Sequence, residues 1–544
     1  MKILLIYPYF IEERVQTEDI GVPPIGLYFV AAVLRENGYD PEILNWHDIQ
    51  KTPGRIEEVL KEKRPDVIGF SILHANRWGG IEIARTAKTL APHVKIVFGG
   101  VGASFLWGHL LSHIPEIDFV VIGEGEYPFL DLIRAIEKGE EEEFHEIRGI
   151  AFKKKGKIVK TEEWHSIEDL DLLPIPAKYF LYNHVSSSRG CPWRCTFCGS
   201  PNFWGQKIRF RSPENFVNEL ELLYKNGMRF FYISDDAFTI NKERVIEICR
   251  RIIEKDLKIT WNAISRVDHV DEEILSWMRK AGCIQVSYGV ESGSEKIRRL
   301  LNKNVKTSLI KKAFFLTRRC GLLPRAYFVY GSPGETWETI QESIDLIHEI
   351  KPLSVVFYIL DLFPGTALYE RIQKAFHITD DIWLNRIEGI MCFEVDPALS
   401  DELILAFGKK LRTDFYTNIH GFVDPIRLMD KKEFYELHSD FLSRLAMTFS
   451  HGDYSKIDLI KEKDKIAERL FEKSLGYYPN PRGYLGLGIL RQRDGQFEQS
   501  IEILLKGLES FSDNEEINLC IGMWSRGVIN LQVAQSKEYL VFAL

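Results

Sequence analysis

The chain has 544 residues, which is longer than a single domain. Hydrophobic residues make up 45% and charged residues 27%, and both proportions are ordinary for globular proteins. Its 78 acidic and 70 basic residues give a net charge of −8, which argues against a general nucleic-acid coat. No run reaches the roughly 18–20 apolar residues of a membrane span, and the opening MKILLIYPYF is typical of a first strand, so we expect a cytoplasmic protein.

Residues 1–140 alternate short apolar runs with segments of helical periodicity. This alternation predicts an α/β domain with a doubly wound, Rossmann-like parallel sheet that is covered on both faces. Ligands of such sheets bind where the strands end. The loops to examine are those after Pro8, Ser71, Gly99-Gly100 and Gly123.

Residues 141–180 are charged, contain a KKKGK turn and two prolines, and are predicted to be a linker. From 181 to 400 the alternation resumes with six strand candidates, each followed by a helix. Six units are too few to close an eight-stranded barrel, so we expect a partial, TIM-like (βα)₆ barrel. Functional residues of such barrels lie at the carboxyl ends of the strands.

The remainder of the chain is predicted to be helical. Residues 401–455 form a connector, and residues 456–544 contain a weak repeat with a 33-residue offset, in which Ala467 matches Ser500. The period resembles that of tetratricopeptide (TPR) units, which present concave surfaces to partners. A generic helical cap is the alternative.

Three of the eight cysteines, Cys191, Cys195 and Cys198, form a C-x₃-C-x₂-C cluster. Three close thiolates indicate metal binding, but structural zinc requires four ligands and no fourth lies nearby in sequence. A [4Fe–4S] cluster can be held by three thiolates, which leaves one iron open to a small molecule. A zinc site completed by a distant residue and an inert loop remain as alternatives.

With aromatic Phe197 before its last cysteine, and directly after the first predicted barrel strand, this motif resembles that of the radical S-adenosylmethionine (SAM) superfamily. The resemblance implies that the open iron chelates SAM, and that one electron cleaves SAM to methionine and a 5′-deoxyadenosyl radical. It also implies a low-potential electron donor of the flavodoxin or ferredoxin type.

The same resemblance suggests four SAM contacts at strand ends. Asp235 and Asp236 stand where the family contacts the SAM amino group, although the usual Gly-Gly-Glu is missing here. Arg266 would suit the SAM carboxylate. Glu291, in GVESGSE, would accept hydrogen bonds from the ribose. Each of these charged residues could instead form an ordinary ion pair.

The N-terminal domain resembles the cobalamin-binding domain that precedes the barrel in one radical SAM subfamily. Ser71 and Leu73 match its Ser-x-Leu motif, and Gly99 and Gly100 match its Gly-Gly motif. Small residues at these strand ends would leave a slot for the cofactor tail.

The Asp-x-His-x-x-Gly element of many cobalamin proteins is missing from the loop at 8–25. This absence predicts cobalamin bound without that histidine ligand. His74, Arg77 and Trp78 follow Ser-x-Leu and could cover the lower face of the corrin, although His74 could equally be a structural histidine.

Together these resemblances imply a cobalamin-dependent radical SAM enzyme, with a methyltransferase that transfers methyl from methylcobalamin to an unactivated carbon as the leading hypothesis. An oxidative cyclase of the magnesium-protoporphyrin ester type, or a rearrangement enzyme, is the second. The third is a non-catalytic cobalamin or redox sensor that binds partners through the repeats. We expect a small-molecule substrate, or a peptide presented to the C-terminal repeats, and no nucleic acid.

Overall fold

The computed structural model describes residues 1–11, 25–47, 49–52 and 54–524. Its first sheet has seven strands in the order β2-β1-β3-β4-β5-β6-β7. Strands β1 to β5 are parallel. These strands are β1 Ile3–Tyr7, β2 Glu42–Asn45, β3 Val67–Ser71, β4 Lys95–Gly99, β5 Phe119–Val121, β6 Ile150–Lys154 and β7 Lys157–Lys160.

Five helices cover this sheet: α1 Ile25–Glu36, α2 Arg55–Lys63, α3 Arg77–Leu90, α4 Val101–His113 and α5 Glu126–Lys138. The strand order reverses between β1 and β3, and in open α/β sheets the crevice at that point is where ligands bind. The parallel α/β domain is therefore as predicted. Most of the loop in which the cobalamin histidine motif is missing, residues 12–24, lies outside the described residues.

Strands β6 and β7 form a hairpin within the predicted linker. Lys155 and Gly156 at its tip both have positive φ, as a two-residue primed turn requires. Strand β6 pairs antiparallel with β5, with Phe152 opposite Phe119. Residues 150–160 thus extend the N-terminal sheet, because pairing with β5 protects an edge that would otherwise be open.

A second sheet has six parallel strands in chain order, β8-β11-β12-β13-β14-β15, and contains all six predicted strands. The strands of this region, including the small β9–β10 pair, are β8 His184–Val185, β9 Ser188–Arg189, β10 Arg209–Phe210, β11 Phe230–Ile233, β12 Thr260–Ser265, β13 Cys283–Glu291, β14 Leu323–Tyr330 and β15 Ser354–Ile359. The helices between and after them are α6 Ser200–Phe203, α7 Pro213–Lys225, α8 Lys242–Glu254, α9 Glu272–Lys280, α10 Glu295–Leu300, α11 Thr307–Arg319, α12 Trp337–Ile350 and α13 Ala367–Phe376.

The described C-terminal region is helical, as predicted. Its helices are α14 Asp401–Val423, α15 Tyr435–Ser450, α16 Lys463–Tyr477, α17 Pro481–Arg493, α18 Phe497–Ser510 and α19 Glu515–Trp524. A Cβ at Gly486 would lie 2.2 Å from the Phe471 ring, so glycine lets α17 approach α16 closely. Phe471 and Leu487 belong to the same hydrophobic core as the six-stranded sheet. Among the described helices, none combines the length and apolar character needed to cross a bilayer.

Candidate active site

A cavity of about 500 Å³ lies between the two sheets. One wall is the carboxyl edge of the N-terminal sheet, and the other is formed by α6 and by the loop after β15. The lining is mainly apolar and includes five residues that the sequence analysis selected: Ser71, Leu73, His74, Gly99 and Gly100. The predicted cobalamin residues of strands β3 and β4 therefore meet at one site.

Two adjacent glycines in this wall have different reasons to be glycine. Gly100 has φ 89° and ψ 178°, a conformation open essentially to glycine, and a Cβ there would lie 2.9 Å from the Ile72 carbonyl oxygen. Gly99 lacks such a constraint, since a Cβ would come no closer than 3.7 Å to any protein atom. The missing side chain at Gly99 instead leaves room in the cavity, as a cradle for a large ligand requires.

The three residues predicted to cover the corrin separate in space. The His74 ring lines the cavity, with its Nε2 2.9 Å from Asp361 Oδ2. Arg77 and Trp78 are not among the residues that line the cavity. Their side chains donate to backbone oxygens, Arg77 Nε to Trp383 at 2.9 Å and Trp78 Nε1 to Asn385 at 2.7 Å. They anchor the segment after α13 to the N-terminal domain.

The cysteine loop is held by backbone contacts to neighbouring elements. The Thr196 amide donates to the Leu301 carbonyl at 2.9 Å, and the Thr196 carbonyl accepts from the Leu368 amide at 2.8 Å. Phe197 packs, partly buried, against the core that includes the N-terminal sheet. The loop therefore touches both α10 and α13, and its aromatic residue packs against the N-terminal domain.

The thiols of Cys191, Cys195 and Cys198 do not form a compact, preassembled site for a single zinc ion. Their sulfur atoms are not all within 4.8 Å of one another, whereas tetrahedral zinc–thiolate bonds place sulfurs about 3.8 Å apart. Burial raises the pKa of the Cys198 thiol to about 12. Thiolates in so dry a loop need compensating cations, which the irons of a cluster supply.

The adjacent aspartates predicted to contact SAM have different roles. Asp235 is buried and accepts from the Ser187 amide at 2.6 Å and from Ser188 Oγ at 2.6 Å. Its oxygens are thus occupied in fixing the strand that leads to the cysteine loop. Asp236 instead bonds Ser200 Oγ, two residues after Cys198, and burial raises its pKa.

Arg266 lies against the cysteine loop. Its guanidinium stands 4.0 Å from the centre of the Trp193 ring and forks Asp268, with Nε–Oδ1 3.0 Å and Nη2–Oδ2 2.9 Å. The position of Arg266 suits a SAM contact, but in this structure its Nε and Nη2 already donate to Asp268.

Glu291 is buried at a bulge at the end of β13, with φ 66°, a strained conformation for a non-glycine residue. Lys303 donates to its Oε1 at 2.8 Å. Burial alone would lower the pKa of Lys303, but attraction to Glu291 and Cys195 raises it. The pair therefore sits beside the cluster loop. Lys303 was missed because an isolated lysine after a helix has no distinguishing pattern.

A buried ion network at the cavity was also missed. Glu124 Oε1 accepts from Arg189 Nη1 at 3.0 Å, and Glu124 Oε2 accepts from Arg209 Nη1 at 2.9 Å. Arg189 also bonds Glu126. Burial alone would raise the pKa of Glu124, yet the arginines lower it. The acidic run that follows β5 thus binds the strand immediately before Cys191, so the network couples the cavity to the cysteine loop.

Comparisons with known proteins agree with this arrangement. The family model of the radical SAM superfamily matches residues 185–347, and that of the B12 binding domain matches residues 21–133. An uncharacterised methyltransferase of Pyrococcus horikoshii is 31% identical over 382 residues, which are 68% of this chain and 83% of that protein. The chain belongs to the radical SAM enzymes that carry a B12-binding domain. Its cofactors are a [4Fe–4S] cluster, SAM and cobalamin.

Other relatives of this radical SAM enzyme differ in their named reactions. An anaerobic magnesium-protoporphyrin IX monomethyl ester cyclase of Cereibacter sphaeroides is 27% identical over 410 residues, 72% of this chain and 67% of the cyclase. Among solved structures, the radical SAM methyltransferase TsrM of Kitasatospora setae, with cobalamin and [4Fe–4S] bound, superposes with a TM-score of 0.63 at 16% identity, covering 87% of this chain and 99% of TsrM. At that identity the likeness supports the fold.

Proposed function

We propose that this radical SAM enzyme is a methyltransferase that acts on an unactivated carbon, with its substrate held between the cobalamin cavity and the cysteine loop. One observation carries the proposal: Gly199 and Ser200, which directly follow Cys198, line the cavity whose opposite wall is Gly99 and Gly100. The two cofactor sites thus share a boundary. When bound, the cofactors supply a transferable methyl group and the electron that generates a radical from SAM.

The chain's own residues bind, orient and exclude water. The three clustered cysteines would hold the iron–sulfur cluster, and Asp236 and the Glu291–Lys303 pair face that loop. Phe203 and Phe363 contribute apolar surface to the cavity and limit the entry of water, which would quench a reactive radical. No protein nucleophile is required for the central step.

A low-potential flavodoxin or ferredoxin is the proposed electron donor. Pro192 and Arg194, on either side of Trp193 in the cysteine loop, are exposed and provide an edge that such a protein could approach. We also propose that the six-stranded sheet is the partial (βα)₆ barrel of the family, because its strands follow one another in chain order.

The helices from α16 to α19 are proposed to form TPR-like repeats that bind a peptide substrate or a protein partner. Their connections are short, and Leu505 and Leu519 are each about half exposed. Exposed apolar residues on adjacent repeat helices are typical of binding surfaces.

The test is product analysis on anaerobically reconstituted enzyme with cobalamin, SAM and a low-potential reductant. We expect S-adenosylhomocysteine that depends on added cobalamin, together with 5′-deoxyadenosine that is lost in Cys198→Ala. The Cys249→Ala variant, which changes a buried cysteine of α8, is the matched control. Formation of 5′-deoxyadenosine alone would contradict methyl transfer and favour the cyclase or rearrangement hypothesis. Neither product in the presence of all cofactors would favour the sensor.

A further inference from the structure

Three potential metal ligands meet on the outer side of the interface between the two domains. His109 and His113 occupy the same face of the last two turns of α4, four residues apart. Asp381, from the short helical turn Asp380–Leu384 after α13, places its Oδ1 3.2 Å from His109 Nε2 and 4.0 Å from His113 Nε2. Among the residues that the structure describes, this is the one such group whose ligand atoms all lie within 4.8 Å of one another.

We propose that His109, His113 and Asp381 form a binding site for a divalent transition-metal ion of the Zn²⁺ class. Two imidazoles and one carboxylate are ligands that such ions prefer. Bonds of about 2.1 Å at tetrahedral angles place neighbouring ligand atoms about 3.4 Å apart. The His109–Asp381 separation already meets this requirement, and the 4.0 Å between His113 Nε2 and Asp381 Oδ1 exceeds it by about 0.6 Å.

The hydrogen bonds at the site leave the required lone pair available. His113 Nδ1 lies 3.0 Å from the His109 carbonyl oxygen, which can only accept, so Nδ1 carries the proton. In the neutral ring the lone pair then lies on Nε2, the nitrogen that faces Asp381. The same backbone bond orients the ring, as the outer partner of a metal-bound histidine usually does.

His109 changes its proton when the ion binds. Without metal, its Nε2–H donates to Asp381. A ligating Nε2 must be unprotonated, so binding would release that proton to solvent while Nδ1 of the neutral ring takes one from solvent. The side chain of Asp381 is 67% exposed and that of His113 is 41% exposed. The ion can therefore enter from solvent, and a water molecule can complete its coordination.

The location gives the site a structural consequence. Helix α4 begins at the Gly100 cavity wall, and Asp381 lies two residues before Trp383, whose carbonyl accepts from Arg77. A bound ion would cross-link the N-terminal domain to the segment after α13 through coordination bonds. This cross-link would lie next to the contacts that Arg77 already makes. The bound ion would act as a clamp that holds α4 to the segment after α13, a role that is independent of methyl transfer.

The experiment measures zinc bound by the cluster- and cobalamin-loaded enzyme after equilibrium dialysis against buffered free Zn²⁺ at neutral pH. Mass spectrometry of zinc and iron in the same sample verifies that the cluster is intact, so that Cys191, Cys195 and Cys198 do not capture zinc. The variants are His113→Ala and the isosteric Asp381→Asn. His93→Ala, which removes an exposed histidine of the same domain, is the control.

We expect one zinc ion per chain in the wild type and in His93→Ala, and a raised thermal midpoint of both when zinc is present. Loss of an outer partner of a metal ligand weakens binding 10–100-fold, so loss of a ligand itself in His113→Ala or Asp381→Asn should weaken it by more than about 100-fold. Equal zinc content in wild type and both variants, or no zinc in the wild type, would overturn the proposal and leave an ordinary surface ion pair. Neither result depends on the reaction the enzyme catalyses.

Discussion

The two glycines at the end of β4 offer a paired test of the cobalamin cavity. Gly99→Ala and Gly100→Ala each add one methyl group at neighbouring positions. At Gly99 the new Cβ would be at least 3.7 Å from every protein atom, which is ordinary contact. At Gly100 it would lie 2.9 Å from the Ile72 carbonyl oxygen, on a backbone with φ 89°. Gly100→Ala should therefore affect folding, whereas Gly99→Ala should affect the binding of the ligand.

The two substitutions should change the free energy of unfolding in different ways. Gly99→Ala should leave the free energy of unfolding unchanged or raise it by up to about 1 kcal/mol, because alanine restricts the unfolded chain. Gly100→Ala should lower it by about 1–3 kcal/mol through backbone strain, or about 2–12 °C in the thermal midpoint of a domain of this size. A methyl group inside a filled site costs about 1–3 kcal/mol, so Gly99→Ala should weaken cobalamin binding about 5- to 150-fold.

The assays are thermal unfolding of the cobalamin-free protein and equilibrium dialysis of hydroxocobalamin, read by its absorbance. Gly123→Ala is not a suitable control because its φ is also positive. Gly26→Ala tests another part of the cavity lining, since no atom lies within 4 Å of the added Cβ. Wild-type cobalamin affinity in a folded Gly99→Ala protein would refute the assignment of this wall to the cofactor. A strongly destabilised Gly99→Ala would refute the packing argument.

Three further outcomes follow from the buried charges. Glu124→Gln should cost about 3–5 kcal/mol by leaving the Arg209 guanidinium without a carboxylate partner, whereas Arg189 keeps Glu126. Since the folded pKa of Glu124 is lowered, its contribution is present above about pH 4 and lost as pH falls further, so the urea midpoint of the variant should vary less with pH in acid than that of wild type. Asp235→Asn should lower both the urea midpoint and the iron content, because charge-assisted hydrogen bonds of about 1.5–3 kcal/mol each are lost. Asp236→Asn should fold and load iron but bind SAM more weakly in equilibrium dialysis. Equal iron content in the two variants would contradict this distinction. In Arg77→Met, limited proteolysis should cleave the segment after α13 faster than in the control Arg85→Met, because Arg85 is half exposed and Arg77 anchors that segment. Equal cleavage rates would refute the anchoring role.

Local spacing was enough to select the three cysteines that are proposed as cluster ligands. Cys191, Cys195 and Cys198 lie within one loop, so their proximity depends on few backbone angles rather than on the fold. The cavity residues Ser71 and Gly99 could also be predicted, because the ends of neighbouring parallel strands meet at one edge of a sheet. Both predictions use short-range regularities of sequence.

The roles of individual charged residues could not be predicted in this way. Asp235 and Asp236 are adjacent and chemically identical, yet one bonds the serines before the cysteine loop and the other Ser200. Arg77 matched a position next to a cofactor motif, but its guanidinium finds backbone carbonyls more than 300 residues away in sequence. A sequence pattern specifies side-chain type, whereas the hydrogen-bond partner depends on the direction of the side chain.

The sequence by itself determined the order of elements, the two α/β units and the thiol cluster, because hydrophobic periodicity and ligand spacing are properties of contiguous residues. Only the tertiary structure decided that the β6–β7 hairpin completes the first sheet, that Glu124 pairs with Arg189 and Arg209, and that Asp381 meets His109 from 272 residues away. These contacts lie between elements that are distant in the chain. Their formation depends on how the two sheets pack, and burial then makes each unpaired charge costly enough to require its partner.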